Sequence, residues 1–341
     1  MQRDIIVIGA SAGGVEALSE LVAKLPADLD AAIFIVVHIG PEGPGLLPGL
    51  LDRRGLLHAV QAEQDAPIVP RNIYVAPPDH HLVLEPGRMC LVRGPVENRH
   101  RPAVDALFRT AAAAYGPRVI GVVLSGYLDD GTAGLIAIKH AGGTAIVQDP
   151  DDALVPGMPE SAIANVDVDY VRPLEEIPEL LVSLVNNTIE LKPMAKEKTK
   201  VKKQADPGAI VDPKGLPSAY TCPQCSGTLW EVNDGALLRF ACRVGHAFSA
   251  DSMLQDQADS MERALWAALR SLEERSDLLQ RLAARAERQG HPLALRRFRE
   301  QARATRSNAE VLRNLLTNGR GGQARERRDD KAEQAEHAES A

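Results

Sequence analysis

The chain has 341 residues, 45% of them hydrophobic and 25% charged, with a formal net charge of −7. That length allows two domains or one large one, while the acidic balance and an aromatic share of 4% argue against nucleic-acid backbones, stacked bases and anionic membrane surfaces as partners. No run is apolar over the thickness of a bilayer, and Met1-Gln-Arg-Asp4 leads straight into a core-like strand without a signal peptide, so a soluble cytoplasmic protein is expected.

Residues 1–190 alternate short β-branched runs with helical patterns. Strands are expected at Ile5–Ile8, Ala32–Val37, Asn72–Ala76, His81–Leu84, Val119–Leu124 and Thr144–Val147, and helices at Val15–Lys24, Pro48–Arg54, Ala103–Tyr115, Thr132–His140 and Leu174–Asn187. This alternation predicts an α/β domain, a mainly parallel sheet with helices on both faces. Residues 191–218 are charged and proline-bearing without an apolar period, and read as a flexible linker. Residues 219–249 hold three of the four cysteines, and 250–317 are strongly helical. There Leu265, Leu272 and Leu279 recur every seventh residue, with Met261, Ala268 and Leu282 on the neighbouring seam. Gly290-His291-Pro292 must break the helix. A second helix then carries Leu295, Phe298, Ala302, Ala309, Leu312 and Leu316 on one face, which suggests a helical hairpin. The Arg-, Glu- and Asp-rich tail, 318–341, is expected to be disordered.

The chemistry centres on Ser11. The run Ile5-Ile-Val-Ile-Gly-Ala-Ser11-Ala-Gly-Gly14 is a strand, a tight turn and the start of a helix, which sets the serine at the carboxyl edge of an open sheet. Two other strand ends carry complementary groups: His38 after Ala32–Val37, and Asp129-Asp130-Gly131 after Val119–Leu124. Serine, imidazole and carboxylate at three strand ends are the hydrolase constellation, with backbone N–H groups near Ala12 and Gly13 placed for an oxyanion. Taken singly, the serine could be a helix cap, the histidine a structural residue and the acidic pair a turn; their joint occurrence favours catalysis. His58, His80, His81 and His100 compete for the role of base. A dinucleotide loop fits poorly, because Ser11 stands where the second glycine is needed and no acid ends the second strand.

The spacing Cys222-x-x-Cys225 and Cys242-x-x-x-His246, with a hairpin signal at Asn233-Asp234-Gly235 between the pairs, suits a closed tetrahedral Zn²⁺ site of structural type, similar to a zinc ribbon. A redox Cys-x-x-Cys lacks the βαβ context it needs. Cys90 stands apart.

Several segments, in order, resemble the catalytic domain of the chemotaxis protein-glutamate methylesterases: Ile8-Gly-Ala-Ser-Ala-Gly-Gly14, Val36-Val-His-Ile39, Asn72-Ile-Tyr-Val-Ala-Pro-Pro-Asp-His-His-Leu82, His100-Arg-Pro-Ala-Val-Asp-Ala-Leu-Phe108, Leu124-Ser-Gly-Tyr-Leu-Asp-Asp-Gly131, Gln148-Asp-Pro150 and Gly157-Met-Pro159. The resemblance implies a parallel α/β sheet and hydrolysis of glutamate γ-methyl esters on chemoreceptor helical bundles, with glutamine deamidation in some members and no cofactor for catalysis. It implies Ser11 as nucleophile, His38 as base and Asp130 as third member, Asp129 falling where the family often has a non-acid. Ala12 and Tyr127 stand where similar enzymes often carry threonine and methionine near the oxyanion site. Such enzymes typically have a phospho-receiver domain before the catalytic one. Only four residues precede the first strand here, so control by the carboxyl-terminal module or a constitutively open site is expected. Residues 250–317 could self-associate or dock on a receptor bundle. The competing reading is a signalling scaffold that keeps the fold without the reaction.

Overall fold

The computed structural model describes residues 2–38, 40, 45–187, 215–234 and 237–338, by their backbone alone at 233, 234 and 318–338. The linker expected at 191–218 therefore falls mostly outside the described residues, and a strand already begins at Leu216.

The first half runs β1 (Ile5–Ala10), α1 (Gly14–Ala23), β2 (Ala32–Val37), α2 (Leu47–Arg54), β3 (His58–Gln61), β4 (Asn72–Val75), β5 (His81–Glu85), β6 (Arg88–Val92), α3 (Val104–Tyr115), β7 (Val119–Val123), α4 (Thr132–His140), β8 (Thr144–Gln148), α5 (Gly157–Asn165), β9 (Tyr170–Arg172) and α6 (Ile177–Asn186). Seven strands form one sheet in the order β3-β4-β2-β1-β7-β8-β9, every pair parallel. Central strands of a sheet covered on both faces have no solvent side, which is why β1, β2 and β7 read as unbroken apolar runs and are buried throughout.

Side chains alternate between two cores. Ile6 and Ile8 meet Leu18 and Leu21 of α1, Leu51 of α2 and Leu181 of α6. Ile5 and Val7 meet Leu107 and Phe108 of α3, Leu135 of α4 and Met158 of α5. Each such side chain contributes about 1.5–3 kcal/mol on burial, so these two layers, rather than the surface ion pairs, fix the sheet on which the loops are mounted. The strand expected at His81–Leu84 forms, but it lies outside the parallel sheet. It pairs antiparallel with β6 in a two-stranded ribbon, because only a two-residue turn, Pro86-Gly87, separates them.

The second half runs β10 (Leu216–Thr221), β11 (Thr228–Asp234), β12 (Leu237–Cys242), β13 (Ala247–Ser249), α7 (Ala250–Arg288) and α8 (Pro292–Ala338). The four strands form an antiparallel meander with Leu229, Phe240, Phe248 and Met253 at its centre. The chain divides into two compact units, 1–254 and 255–341. The second unit is the expected helical hairpin. Gly290 (φ +71°) closes the first helix: its N–H reaches Glu287 O and the His291 N–H reaches Ala286 O, the paired bonds of a left-handed C-terminal cap.

Leu265, Leu269 and Leu272 pack against Ala309, Leu312 and Leu316, and Arg299–Glu287 and Arg313–Glu273 pair across the hairpin. The neighbouring seam differs from expectation. Met261 and Ala268 are exposed, and Leu269, Ser276 and Ala283 take the buried positions, since a 3–4 stripe from Leu265 advances to them and not to 261 or 268. α8 runs as far as Ala338.

Candidate active site and metal centre

From β1 the chain crosses to β2 on one side and later reaches β7 on the other, so the carboxyl end of β1 is the switch point of the sheet, where a crevice opens. Ser11 follows β1, His38 follows β2, and Asp130 lies in the loop after β7. Three segments far apart in sequence thus meet at one sheet edge.

The serine turn is tight. The Ser11 N–H donates to Ser125 O at 2.9 Å and the Gly14 N–H to Ser11 O at 2.9 Å. Gly13 takes φ +75° as the residue before α1, and a Cβ there would come within 2.9 Å of Ser125 Oγ and of Leu154. Buried Ser125 braces the turn: its hydroxyl donates to Ala12 O at 2.7 Å and accepts the Val155 N–H at 2.9 Å, while its own N–H donates to Gln148 Oε1 at 3.0 Å.

His38 Nδ1 lies 3.1 Å from Ser11 Oγ, and Nε2 lies 2.7 Å from Asp130 Oδ2. A carboxylate only accepts, so the Nε2 proton is fixed toward Asp130 and Nδ1 is left as acceptor for the serine hydroxyl. The His38 and Asp130 side chains are 5% and 2% exposed.

Both oxygens of Asp130 are saturated. Oδ2 accepts from His38 and from the Val104 N–H at 2.7 Å; Oδ1 accepts from Asn98 Nδ2 at 3.0 Å and from the Asp105 N–H at 3.1 Å. Burial pushes this carboxyl up, but the His38 and Asn98 hydrogen bonds outweigh it and hold Asp130 below the usual carboxylate range. Asp105 sits behind it, pushed up by burial and by the charge of Asp130. Asn98 Nδ2 bridges the two acids, donating also to Asp105 Oδ2 at 2.8 Å.

The other histidines take separate places. His100 stacks on His38 with ring centroids 3.5 Å apart and planes 6° from parallel, and burial and the His38 charge push it down to about 4. His81 Nε2 lies 2.9 Å from Pro95 O and His80 Nδ1 3.1 Å from Pro78 O, whereas His58 pairs with Asp52 at the surface. Asp129 is buried and accepts a hydrogen bond from Ser252 Oγ at 3.1 Å.

This arrangement can deprotonate a hydroxyl and hold the resulting imidazolium. Among the described residues, the Ala12 and Gly13 N–H groups have no intramolecular acceptor, and at the amino end of α1 they can receive a developing oxyanion. Tyr127 is 64% exposed. Sequence reasoning did not assign Asn98, Asp105 or Ser125 to the site: Asp105 and Ser125 lie within segments that carry the family resemblance without a role being read for them, and Asn98 lies outside those segments.

Cys222, Cys225, Cys242 and His246 form the expected second cluster, their ligand atoms all within 4.8 Å of one another. Cys222 Sγ–His246 Nδ1, Cys225 Sγ–Cys242 Sγ and Cys242 Sγ–His246 Nδ1 are 3.7, 3.7 and 3.5 Å apart. Bonds of ~2.0–2.3 Å from a central ion imply tetrahedron edges of roughly 3.5–3.8 Å. Two tight knuckles present the ligands, with Ser226 N–H on Cys222 O at 2.8 Å and Gly245 N–H on Cys242 O at 3.0 Å. The cluster is a possible Cys₃His metal site.

The CheB methylesterase family profile matches residues 6–181. The chain belongs to the CheB methylesterase family. A relative from Leptospira interrogans, provisionally named a protein-glutamate methylesterase/protein-glutamine glutaminase, is 40% identical over 191 residues, which are 56% of this chain and 99% of the relative. One from Geobacter metallireducens bearing the same activity in its name is 40% identical over 181 residues, 52% of this chain and 50% of the relative. The crystal structure of the Thermotoga maritima CheB methylesterase catalytic domain is 36% identical, with a TM-score of 0.53, and is covered in full by 54% of this chain. This makes the chain a methylesterase hydrolase by family. The Cys–His cluster and both long helices lie beyond the matched residues.

Proposed function

We propose that Ser11, His38 and Asp130 carry out hydrolysis of glutamate γ-methyl esters on chemoreceptor helices, and that the same site deamidates receptor glutamines. The observation that carries this reading is the continuous relay Ser11 Oγ–His38 Nδ1 and His38 Nε2–Asp130 Oδ2 at the sheet switch point.

The Ser11 hydroxyl gives its proton to His38 Nδ1 as Oγ attacks the ester carbonyl. The tetrahedral oxyanion takes hydrogen bonds from the Ala12 and Gly13 N–H groups. Collapse expels methanol, which takes the proton from His38 and leaves a glutamyl ester on Ser11. Water, deprotonated by His38, then attacks that ester and regenerates the serine with a free carboxylate. Asp130 fixes the tautomer and stabilises the imidazolium throughout. Leu154 lies against the serine turn and, like Tyr127 close by in sequence to Ser125, is largely exposed; both offer apolar contact to a substrate helix.

Zn²⁺ is the ion the donor set fits. Cys222, Cys225, Cys242 and His246 would hold it with no position left open, so it would supply folding energy and no chemistry at the ester. No described helix is long and apolar enough to cross a membrane, and the enzyme acts from the cytoplasm. Its two long helices self-associate or dock on the receptor bundle.

The test is methanol release from membranes containing methylated receptors. The wild-type chain releases methanol and a folded Ser11→Ala variant falls to the blank. Equal release by both, or release by neither, would sink the assignment.

A further inference from the structure

The Cys–His module is joined to the catalytic carboxylates by a short seam. Within the unit 1–254, the segment just after His246 lies against the loop Pro95–His100. The Asn98 N–H donates to Ala247 O at 2.9 Å, and the Ser249 N–H donates to Asn98 Oδ1 at 3.1 Å. Ser252 Oγ donates to Asp129 Oδ1 at 3.1 Å. Arg239 of β12 lies 4.0 Å from Glu97, and Gly245 sits against the ring of Pro95, where a Cβ would approach Cγ within 2.9 Å.

The Asn98 side chain is the hinge of this seam. It has two N–H donors and one carbonyl acceptor at its disposal. The donors go to Asp105 and Asp130 and the acceptor takes the Ser249 N–H. The amide is 1% exposed and each of its polar groups is engaged, so its orientation is set from the module side as much as from the catalytic side. A buried amide whose oxygen lost the Ser249 N–H could turn, and Asp130 would lose a donor. Asp129 would be left as a buried, unpartnered acid next to the triad.

We propose that the metal-loaded Cys₃His module is a structural part of the active site, with Asn98 as the positioning residue through which it holds Asp130 and hence His38. The seam touches residues 95–98 and 129, while Tyr127 stays exposed, so the module buttresses the carboxylates from behind and does not cap the serine. The inference rests on the methylesterase reading only for its activity readout.

The experiment uses the full chain, loaded with Zn²⁺ or stripped by a chelator under reducing conditions. Amide hydrogen exchange is followed at Asn98, Val104 and Asp105, with the β1 amides as a check on the core, and kcat and KM are measured on a glutamate γ-methyl ester peptide. Stripping is expected to speed exchange at the three amides, leave β1 protected, and lower kcat on the order of 10–10²-fold with little change in KM, the size expected of a small misplacement of catalytic groups. Asn98→Gly, which keeps all four ligands and suits the positive φ at this position, is expected to retain Zn²⁺, lower kcat in the same sense and leave stripping with little further effect on kcat. It decides the matter if stripping also loosens β1. Unchanged exchange and kcat on stripping, a rise in kcat, or a chain that takes up no Zn²⁺ would overturn the proposal. If the peptide is not hydrolysed at all, exchange at the three amides still decides it, while the methylesterase reading fails separately.

Discussion

Replacing Asp130 by asparagine changes one heavy atom and tests the relay directly. Four donors converge on the carboxylate, two on each oxygen: the His38 and Val104 N–H groups on Oδ2, and the Asn98 and Asp105 N–H groups on Oδ1. An amide has only one oxygen, so in either orientation its NH₂ faces two buried donors. At about 1–3 kcal/mol for each unsatisfied buried group, the variant should lose roughly 2–6 kcal/mol of stability. If the NH₂ faces His38, Nε2 must become the acceptor, the ring proton moves to Nδ1, and Ser11 loses its base. If the oxygen faces His38, the tautomer survives, but the imidazolium has no counter-charge.

Loss of the triad carboxylate by this route costs about 10⁴ in kcat, or about 5.4 kcal/mol at 1.36 kcal/mol per tenfold. The assay is kcat on a γ-methyl ester substrate alongside urea unfolding, both at neutral pH. A folded Asp130→Asn variant that kept a tenth or more of wild-type kcat would refute the reasoning, because neither orientation of the amide can supply both proton and charge.

Two further outcomes follow from the same geometry. His100 is held down to about 4 against an ordinary value of 6.5, so between those pH values the unfolded chain binds a proton that the folded chain does not. Stability should then fall as pH drops from 6.5 to 4, by up to about 3 kcal/mol; in denaturation curves at pH 7, 5.5 and 4, His100→Gln should flatten that slope, and an unchanged slope would remove His100 as its cause. Gly13→Ala must hold a side chain at φ +75° and push on Ser125 and Leu154. We expect about 1–2 kcal/mol of lost stability and a drop in kcat on the order of 10²-fold as Ser11 shifts; equal Tm and kcat would show that the turn tolerates a side chain.

The central strands were legible because a parallel sheet covered on both faces leaves its mark as continuous apolar runs. Ile5–Ile8, Ala32–Val37 and Val119–Leu124 were found within two residues of their ends, and so were the reactive groups that follow each. His58–Gln61 and Tyr170–Arg172 were not. They are edge strands with mixed burial, His-Ala-Val-Gln and Tyr-Val-Arg, too short and too polar to stand out from loop sequence. On the helical hairpin the first heptad leucines were plain, whereas the choice of Ala268 over Leu269 shows that a seven-residue period alone does not say on which side the second seam lies.

The site divides along the same line. Ser11 and His38 announce themselves because each follows a recognisable strand, and Cys222, Cys225, Cys242 and His246 because ligand spacing is a local constraint. Asn98, Asp105 and Ser125 act through contacts between segments: Asn98 bonds to residues 7, 32 and 151 positions away. Asp105 and Ser125 fall in segments that carry the family resemblance, but no spacing states their roles, and Asn98 stands in a loop where it and Arg99 have positive φ. The roles of such residues can be read only from a fold, and they tie the reaction to the rest of the chain. An acid at position 129 would be a liability beside Asp130 if it were bare. Its burial is tolerated because Ser252, from a module outside the matched family residues, donates to it. The acid beside the triad and the hydroxyl that satisfies it therefore form a matched pair: removing the module should expose a defect inside the catalytic domain, and Asp129→Asn should make that domain less dependent on it.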